Sequence, residues 1–179
     1  MNAALIHRHP RRRRAFSLIE LVTVIVLLGI LAACLGGPTL AYMNSIRSRS
    51  AATRILADIR FIQRYAMSSR SRTWITFDVA NNRYTLYAED LTNPGKANRK
   101  AVAHPLDQST GAIQLGANTN LNVTLSSVNI NSTTEVEFDS WGRPYDGNSA
   151  VLTAAGTISL SNGVTITLRP ISGFGEQSG

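Results

Sequence analysis

Residues 11–14 are four consecutive arginines, and they run straight into a stretch ending near Leu35 that is apolar except for Ser17, Glu20 and Thr23. A helix of about twenty such residues, rising about 1.5 Å per residue, matches the roughly 30 Å hydrocarbon core of a bilayer. Arginines on one flank hold that end in the cytoplasm, so the rest of the chain is expected across the membrane. A carboxylate near the start of a span costs roughly 3 kcal/mol on insertion scales and by default marks function. Glu20 therefore needs a reason to be there.

At 179 residues and 44% hydrophobic content, the chain can hold one membrane helix and one modest globular domain. A formal charge of +7 suggests a nucleic-acid binder until the charges are located. Arg8 and Arg11 to Arg14 all precede the apolar run, and removing those five from 18 Lys and Arg leaves 13 against 11 Asp and Glu. The basic balance is mostly a topology signal. Cys34 is the single cysteine, which excludes an intrachain disulfide, and neither a metal cluster nor a cofactor is expected. His104, Asp107 and Ser109 have the residue types of a catalytic triad, but they crowd a polar loop without a nucleophile elbow, so no enzyme is expected.

Four export signals overlap at the N-terminus. Arg13-Arg14-Ala15-Phe16 fits a twin-arginine core, and Leu31-Ala32-Ala33-Cys34 fits a lipobox that would make a lipidated Cys34 the mature N-terminus. An uncleaved anchor is the third reading, and a leader cut before Phe16 the fourth. The first two treat residues 16–33 as disposable, and a disposable segment has no use for Glu20. A lipidated cysteine is normally followed by a polar tether, whereas Leu35-Gly36-Gly37-Pro38-Thr39-Leu40 continues the apolar character.

Phe16-Ser17-Leu18-Ile19-Glu20-Leu21 resembles the type IV prepilin signature. The resemblance implies cleavage between Ala15 and Phe16 by a prepilin peptidase, N-methylation of Phe16, and a role for Glu20 in assembly. Ala15 stands where the family usually has glycine, and alanine is the next smallest residue. Cleavage would create a positive amine at Phe16, one turn from Glu20 and near the positive end of the helix dipole. Inside a fibre, the amine of one subunit and the carboxylate of its neighbour neutralise each other, where neither would stay unpaired cheaply.

Gly36-Gly37-Pro38 is expected to bend the helix or melt it locally. From Tyr42 to about Arg72 the helix resumes, with Ala52, Ile55, Ile59, Ile62 and Ala66 as one apolar stripe that should pack on a sheet. Seven arginines lie between Arg47 and Arg72, and Arg54, Arg60 and Arg64 are expected to project away from the stripe. They suit a solvated face, subunit contacts, or a polyanion such as DNA.

After Thr73 the period becomes alternating. A two-residue turn at Asn81-Asn82 would pair Phe77 with Leu86 and Val79 with Tyr84. Residues 89–110 read as a long exposed, mobile loop. Strands are expected at 112–115, 121–130, 134–139, 150–153, 156–161 and 164–169. A three-residue loop Ser161-Asn162-Gly163 would align Leu160 with Val164 and Ile158 with Ile166, leaving Gly163 left-handed.

Phe138-Asp139-Ser140-Trp141-Gly142-Arg143-Pro144, the strands after it and the Gly173-Phe174-Gly175 tail resemble the C-terminal domain of GspH/FimT-type minor pilins and of MshC-like proteins. A cysteine pair that some of these carry is absent here. The expected organisation is a leader (1–15), a transmembrane or fibre-core helix half (16–38), an amphipathic half (39–72) and an antiparallel β domain (73–179), a pilin-like α+β fold. The resemblance implies a non-enzymatic minor pilin of a type IV pilus, or a minor pseudopilin of a type II secretion system. Its partners would be other pilin subunits, the prepilin peptidase/methyltransferase, an inner-membrane assembly platform, and membrane lipid before assembly. A DNA-binding pilin of FimT type and a periplasmic lipoprotein anchored at Cys34 remain as alternatives. Mass spectrometry of the native chain separates them: a polypeptide starting at N-methylated Phe16 is expected, and one starting at acylated Cys34 would overturn the reading.

Overall fold

The computed structural model describes residues 17–104, 110–116, 119 and 121–179, with backbone alone for 35–41. One helix, α1 (Leu18–Ser69), is followed by ten strands: β1 (Thr73–Asp78), β2 (Arg83–Ala88), β3 (Lys100–Ala101), β4 (Ile113–Gln114), β5 (Leu125–Asn129), β6 (Glu135–Phe138), β7 (Pro144–Asp146), β8 (Gly156–Leu160), β9 (Thr165–Leu168) and β10 (Gly175–Ser178). The first sheet runs β3-β2-β1-β6-β7 with β4 beside β2, and the second runs β10-β9-β8-β5; all of their pairings are antiparallel. This is the expected α+β architecture, a long N-terminal helix packed against antiparallel sheets. The chain divides into two compact units between Ala41 and Tyr42.

Helix and sheets meet because the apolar stripe recurs at three- and four-residue intervals. Ala51, Ala52, Ile55, Ile59, Ile62 and Ala66 are all fully buried. They share one core with Ile75, Phe77, Leu86 and Phe138 of the first sheet and Ile158, Ile166 and Leu168 of the second. The alanines let the strands approach closely, and each isoleucine buried this way contributes about 1.5–3 kcal/mol. Helical backbone continues through Gly36, Gly37 and Pro38, so the local melting expected there does not occur.

The helix stops at Ser69 rather than near Arg72. Arg70 takes a left-handed φ of 51°, and Ser71 N donates to Ala66 O at 3.2 Å, the closing bond of a Schellman-type end. Thr73 Oγ1 then donates to Ile62 O at 3.1 Å, fixing the start of β1 against the helix.

The β1–β2 register corrects the expected pairing. Phe77 lies opposite Tyr84 and Ile75 opposite Leu86, two residues from the register of a two-residue turn. The Asp78 carboxylate explains the wider turn: it accepts from Asn81 N at 3.1 Å, Asn81 Nδ2 at 2.8 Å and Arg83 Nε at 2.9 Å. A shift of two preserves side-chain parity, so the apolar residues still face the helix. The β8–β9 register agrees with expectation. Ile158 faces Ile166, Leu160 N donates to Val164 O at 2.8 Å, and Gly163 has φ 77°.

Residues 89–104 depart from a free loop. Lys96 and Arg99 both pair with Glu135, Lys100 pairs with Asp90 at 2.6 Å, and β3 adds to β2. The strand expected at 150–153 is reduced to a bridge between Tyr145 and Val151, whereas β7 and β10 arise where a reversal and a tail were expected. β7 forms because Asp139 closes the preceding turn. Its carboxylate accepts from Trp141 N and Arg143 N, each at 2.9 Å, from Arg143 Nε at 2.8 Å and from Tyr145 OH at 3.2 Å. Burial works to raise the Asp139 carboxyl, but these donors outweigh it and hold the group below the ordinary carboxylate range. Asp146 is lowered in the same way, against burial, by Ala150 N, Asn131 Nδ2 and Asn148 N.

Ile62→Ala is expected to lower unfolding free energy by about 2–5 kcal/mol, against no more than about 0.5 kcal/mol for Arg64→Ala, read by urea unfolding in mild detergent. Carboxyls depressed in the folded state stabilise fully above their unfolded pKa and lose that contribution as pH falls through the folded value. The melting temperature should therefore hold from pH 7 to about 5 and fall below about pH 4. Asp139→Asn should remove part of that fall; an unchanged acid profile would contradict this account of the turn.

Candidate functional site

The N-terminal stem begins where Ser17 O accepts from Glu20 N at 3.0 Å and Leu21 N at 3.2 Å, opening the first turn of α1. Glu20 sits in that turn, where the unpaired backbone N–H groups and the dipole favour negative charge. Thr23 satisfies itself by donating to Ile19 O at 2.8 Å. The surrounding side chains are apolar on every side and exposed, from Leu18 at 80% through Ile25 at 60% to Leu31 at 56%. A helix without a polar face requires lipid or protein around it. Cys34 is exposed and free. Ala15 and Phe16, the expected cleavage and methylation positions, lie outside the described residues. Among the described residues no helix is long and apolar enough to cross a membrane, and described side chains of the apolar run end at Cys34.

Of the three arginines proposed from the sequence as a polyanion contact, Arg60 and Arg64 lie one helical turn apart and exposed, and Arg54 turns inward. Arg60 is exposed and lies 5.0 Å from the centroid of the Phe174 ring. Arg64 is exposed and donates from Nε to Arg60 O at 3.2 Å. Arg54, by contrast, is half-buried and hydrogen-bonds the Tyr84 hydroxyl, which corrects the expectation that it points away from the core.

Arg54 turns inward because a polar seam lies under it. Asp58, 2% exposed, accepts from Tyr84 OH at 2.5 Å and faces Nε2 of His104, also 2% exposed, across 2.9 Å. Burial first, and then the Asp58 charge, hold the Tyr84 phenol far above its ordinary value. His104 thus ties the segment after β3 to the helix. Asp107 and Ser109, its sequence neighbours in the triad pattern, lie outside the described residues. A sequence reading pairs His104 with nearby acids and cannot see a partner 46 positions away.

A second polar layer covers the sheet face away from the helix. Glu137 accepts from Arg72 Nη1 at 2.8 Å, Trp74 Nε1 at 2.9 Å and Ser149 Oγ at 2.6 Å. Glu135 accepts from Thr76 Oγ1 and Arg99 Nη1, both at 2.6 Å, and the Arg99 guanidinium stacks 4.4 Å from the Tyr87 centroid. Burial raises the Glu135 carboxyl, but Lys96, Thr76 and Arg99 more than compensate, so the net shift is downward. These groups satisfy one another and leave no donor set aimed at a ligand; among the described residues no group of His, Cys, Asp and Glu is placed to hold a metal.

One surface escaped the sequence reading. Gln63 Nε2 donates to Gly142 O at 2.7 Å and to Ser172 O at 2.8 Å, clamping two loops to the helix. Those loops expose Trp141 and Ile171, each 78% accessible, beside Phe174 and Met67. Gly142 and Gly173 have φ 77° and 64°, and a Cβ on Gly173 would sit 2.7 Å from Phe138 Cε1. Ile171 holds φ 70°, a costly conformation for a β-branched residue. The glycines of both loops are visible in the sequence; the exposure of Trp141 and Ile171 is not.

Residues 10–33 match the prokaryotic N-terminal methylation motif. No curated protein and no solved structure matches the chain. The match spans the arginine run and most of the apolar stretch, and it is the motif of type IV pilin-like proteins, which are generally structural rather than enzymatic. Such a motif implies processing by a prepilin peptidase, anchoring in the inner membrane before assembly, and assembly with other pilins.

Proposed function

We propose that this chain is a minor pilin or minor pseudopilin, a structural subunit of an MSHA-like type IV pilus or of a type II secretion pseudopilus. The observation that carries the reading is Glu20, the single charge in the described stem, held in the first turn of a helix apolar on every side within the methylation motif. Cleavage after Ala15 puts the Phe16 amine at the new N-terminus, and methylation leaves it positively charged. In the bilayer Glu20 is unpaired; at a fibre base it meets the amine of a neighbouring subunit. The difference in charge compensation draws the subunit out of lipid and into the fibre. The β domain adds the GspH/FimT-like Trp141-Gly142-Arg143-Pro144 reversal to the pilin-like resemblance.

Two alternatives fare less well on the geometry. A lipidated mature N-terminus at Cys34 would begin in the middle of α1, whose helical backbone continues past it. A DNA-uptake role through the helix arginines loses Arg54 to the Tyr84 seam and keeps Arg60 and Arg64. Glu20→Ala is expected to leave membrane insertion unchanged and to reduce the chain's recovery in sheared or detergent-extracted filaments. Equal incorporation of the variant and the parent would overturn the reading.

A further inference from the structure

Gln63 clamps two loops to one flank of α1, and those loops present the exposed Trp141 and Ile171 beside Met67 and Phe174. Ile171 keeps its left-handed φ of 70° because the contacts around it over-determine it, so the patch is already set in place. A cleft of about 500 Å³ opens between Met67, Arg70, Ser140 and Trp141, with room for a bulky apolar side chain. The cations around the patch fall into two kinds. Arg143 is met by Asp139 and Arg169 by Glu176, each at 2.8 Å, so both are neutralised within the chain. Arg60, Arg64 and Arg70 are exposed, and among the described residues none of them pairs with a carboxylate. Arg60 lies 5.0 Å from the Phe174 centroid, which keeps its charge at the rim of the patch. Exposed aromatic and arginine side chains in a fixed setting are the composition of interface anchors.

Positions 60 and 70 are about 15 Å apart along the helix direction, at about 1.5 Å per residue. Two unpaired cations stand at one end of that distance, one at the other, and apolar side chains lie between. A fitting occupant carries anions on both sides of an apolar centre. A phosphate backbone supplies anions alone: it would leave Met67 and Ile171 against charge and set phosphates beside the Asp139 and Glu176 carboxylates. An extended peptide of about five residues, at about 3.3 Å each, covers the same distance with carboxylates at its ends and an apolar side chain in the middle. This chain offers no such segment among its described residues. Glu135 and Glu137 are buried in β6, Glu89 accepts from Arg72 N and Gly95 N, and Asp90 is paired with Lys100. We infer that the patch binds an acidic segment of a different protein, with one large apolar side chain seated between Met67 and Trp141. The carboxylates of that segment reach Arg60 and Arg64 on one side and Arg70 on the other. The inference goes beyond the subunit reading and does not depend on it, because the patch belongs wholly to the globular unit.

The test uses the full chain in nanodiscs of neutral phosphatidylcholine, titrated with the end-blocked peptide Glu-Glu-Phe-Glu-Glu. Trp141 is the reporter, since it is exposed while Trp74 is buried. Acrylamide quenching of tryptophan emission should fall as the peptide saturates the patch. Affinity should exceed that of Lys-Lys-Phe-Lys-Lys and of Glu-Glu-Gly-Glu-Glu by at least about tenfold and should weaken as salt is raised. Arg70→Gln, and Arg60→Gln with Arg64→Gln, should each weaken binding by about two- to fivefold. Met67→Glu, which sets a carboxylate in the cleft, should abolish the protection. All three are read in proteins whose circular dichroism matches the parent. Unchanged quenching with the acidic peptide overturns the proposal, as do equal affinities for the acidic and basic peptides or arginine variants that bind like the parent. A single-stranded oligonucleotide that protects Trp141 more strongly than the acidic peptide gives the patch to nucleic acid and overturns it as well.

Discussion

A helix that is greasy on every side and carries one carboxylate cannot rest in water, and it rests in lipid only at a cost. That constraint governs the rest of the molecule. On the proposed reading, the stem's neighbour is an identical or similar stem, whose apolar surface covers the helix and whose N-terminal amine meets Glu20. In the globular unit the second half of α1 supplies one layer of the core: its Ile55, Ile59 and Ile62 ridge packs with the inner faces of two sheets. One helix therefore serves two packing problems, one inside the subunit and one outside it.

Buried polar groups of the globular unit meet one another in two networks. Asp58, Tyr84 and His104 close on one another beneath the helix, and Glu135 and Glu137 are met by donors from four segments. A buried carboxylate without such partners would cost several kcal/mol. The networks pin the 95–104 segment to β6 and to the helix, through Arg99 on Glu135 and His104 on Asp58.

What the sequence disclosed follows from how far each signal reaches. The stripe from Ala52 to Ala66 is a local repeat, and its burial was legible from spacing alone. The β8–β9 register was legible too, since only a three-residue loop keeps Ile158 and Ile166 on one face. At the β1–β2 turn the same parity argument allowed two registers, and the choice between them fell to the hydrogen bonds of Asp78, which apolar alternation does not encode. β10, written Gly-Glu-Gln-Ser, has no apolar alternation at all and forms because β9 offers it a free edge. Glu20 stands out in the sequence because a charge is conspicuous against apolar neighbours. The inward turn of Arg54 was not, because it depends on Tyr84 and Asp58, residues brought together only by the fold.

The central claim is an intermolecular charge pair at the base of the stem. Filaments assembled from a mixture of two labelled populations, one with ¹⁵N at the Phe16 amine and one with ¹³C at the Glu20 carboxylate, report that pair directly by solid-state NMR. The account predicts dipolar transfer between the two populations at a separation of about 4 Å or less, the distance of an ion pair. Assembled filaments that show no transfer between amine and carboxylate of different subunits would contradict it.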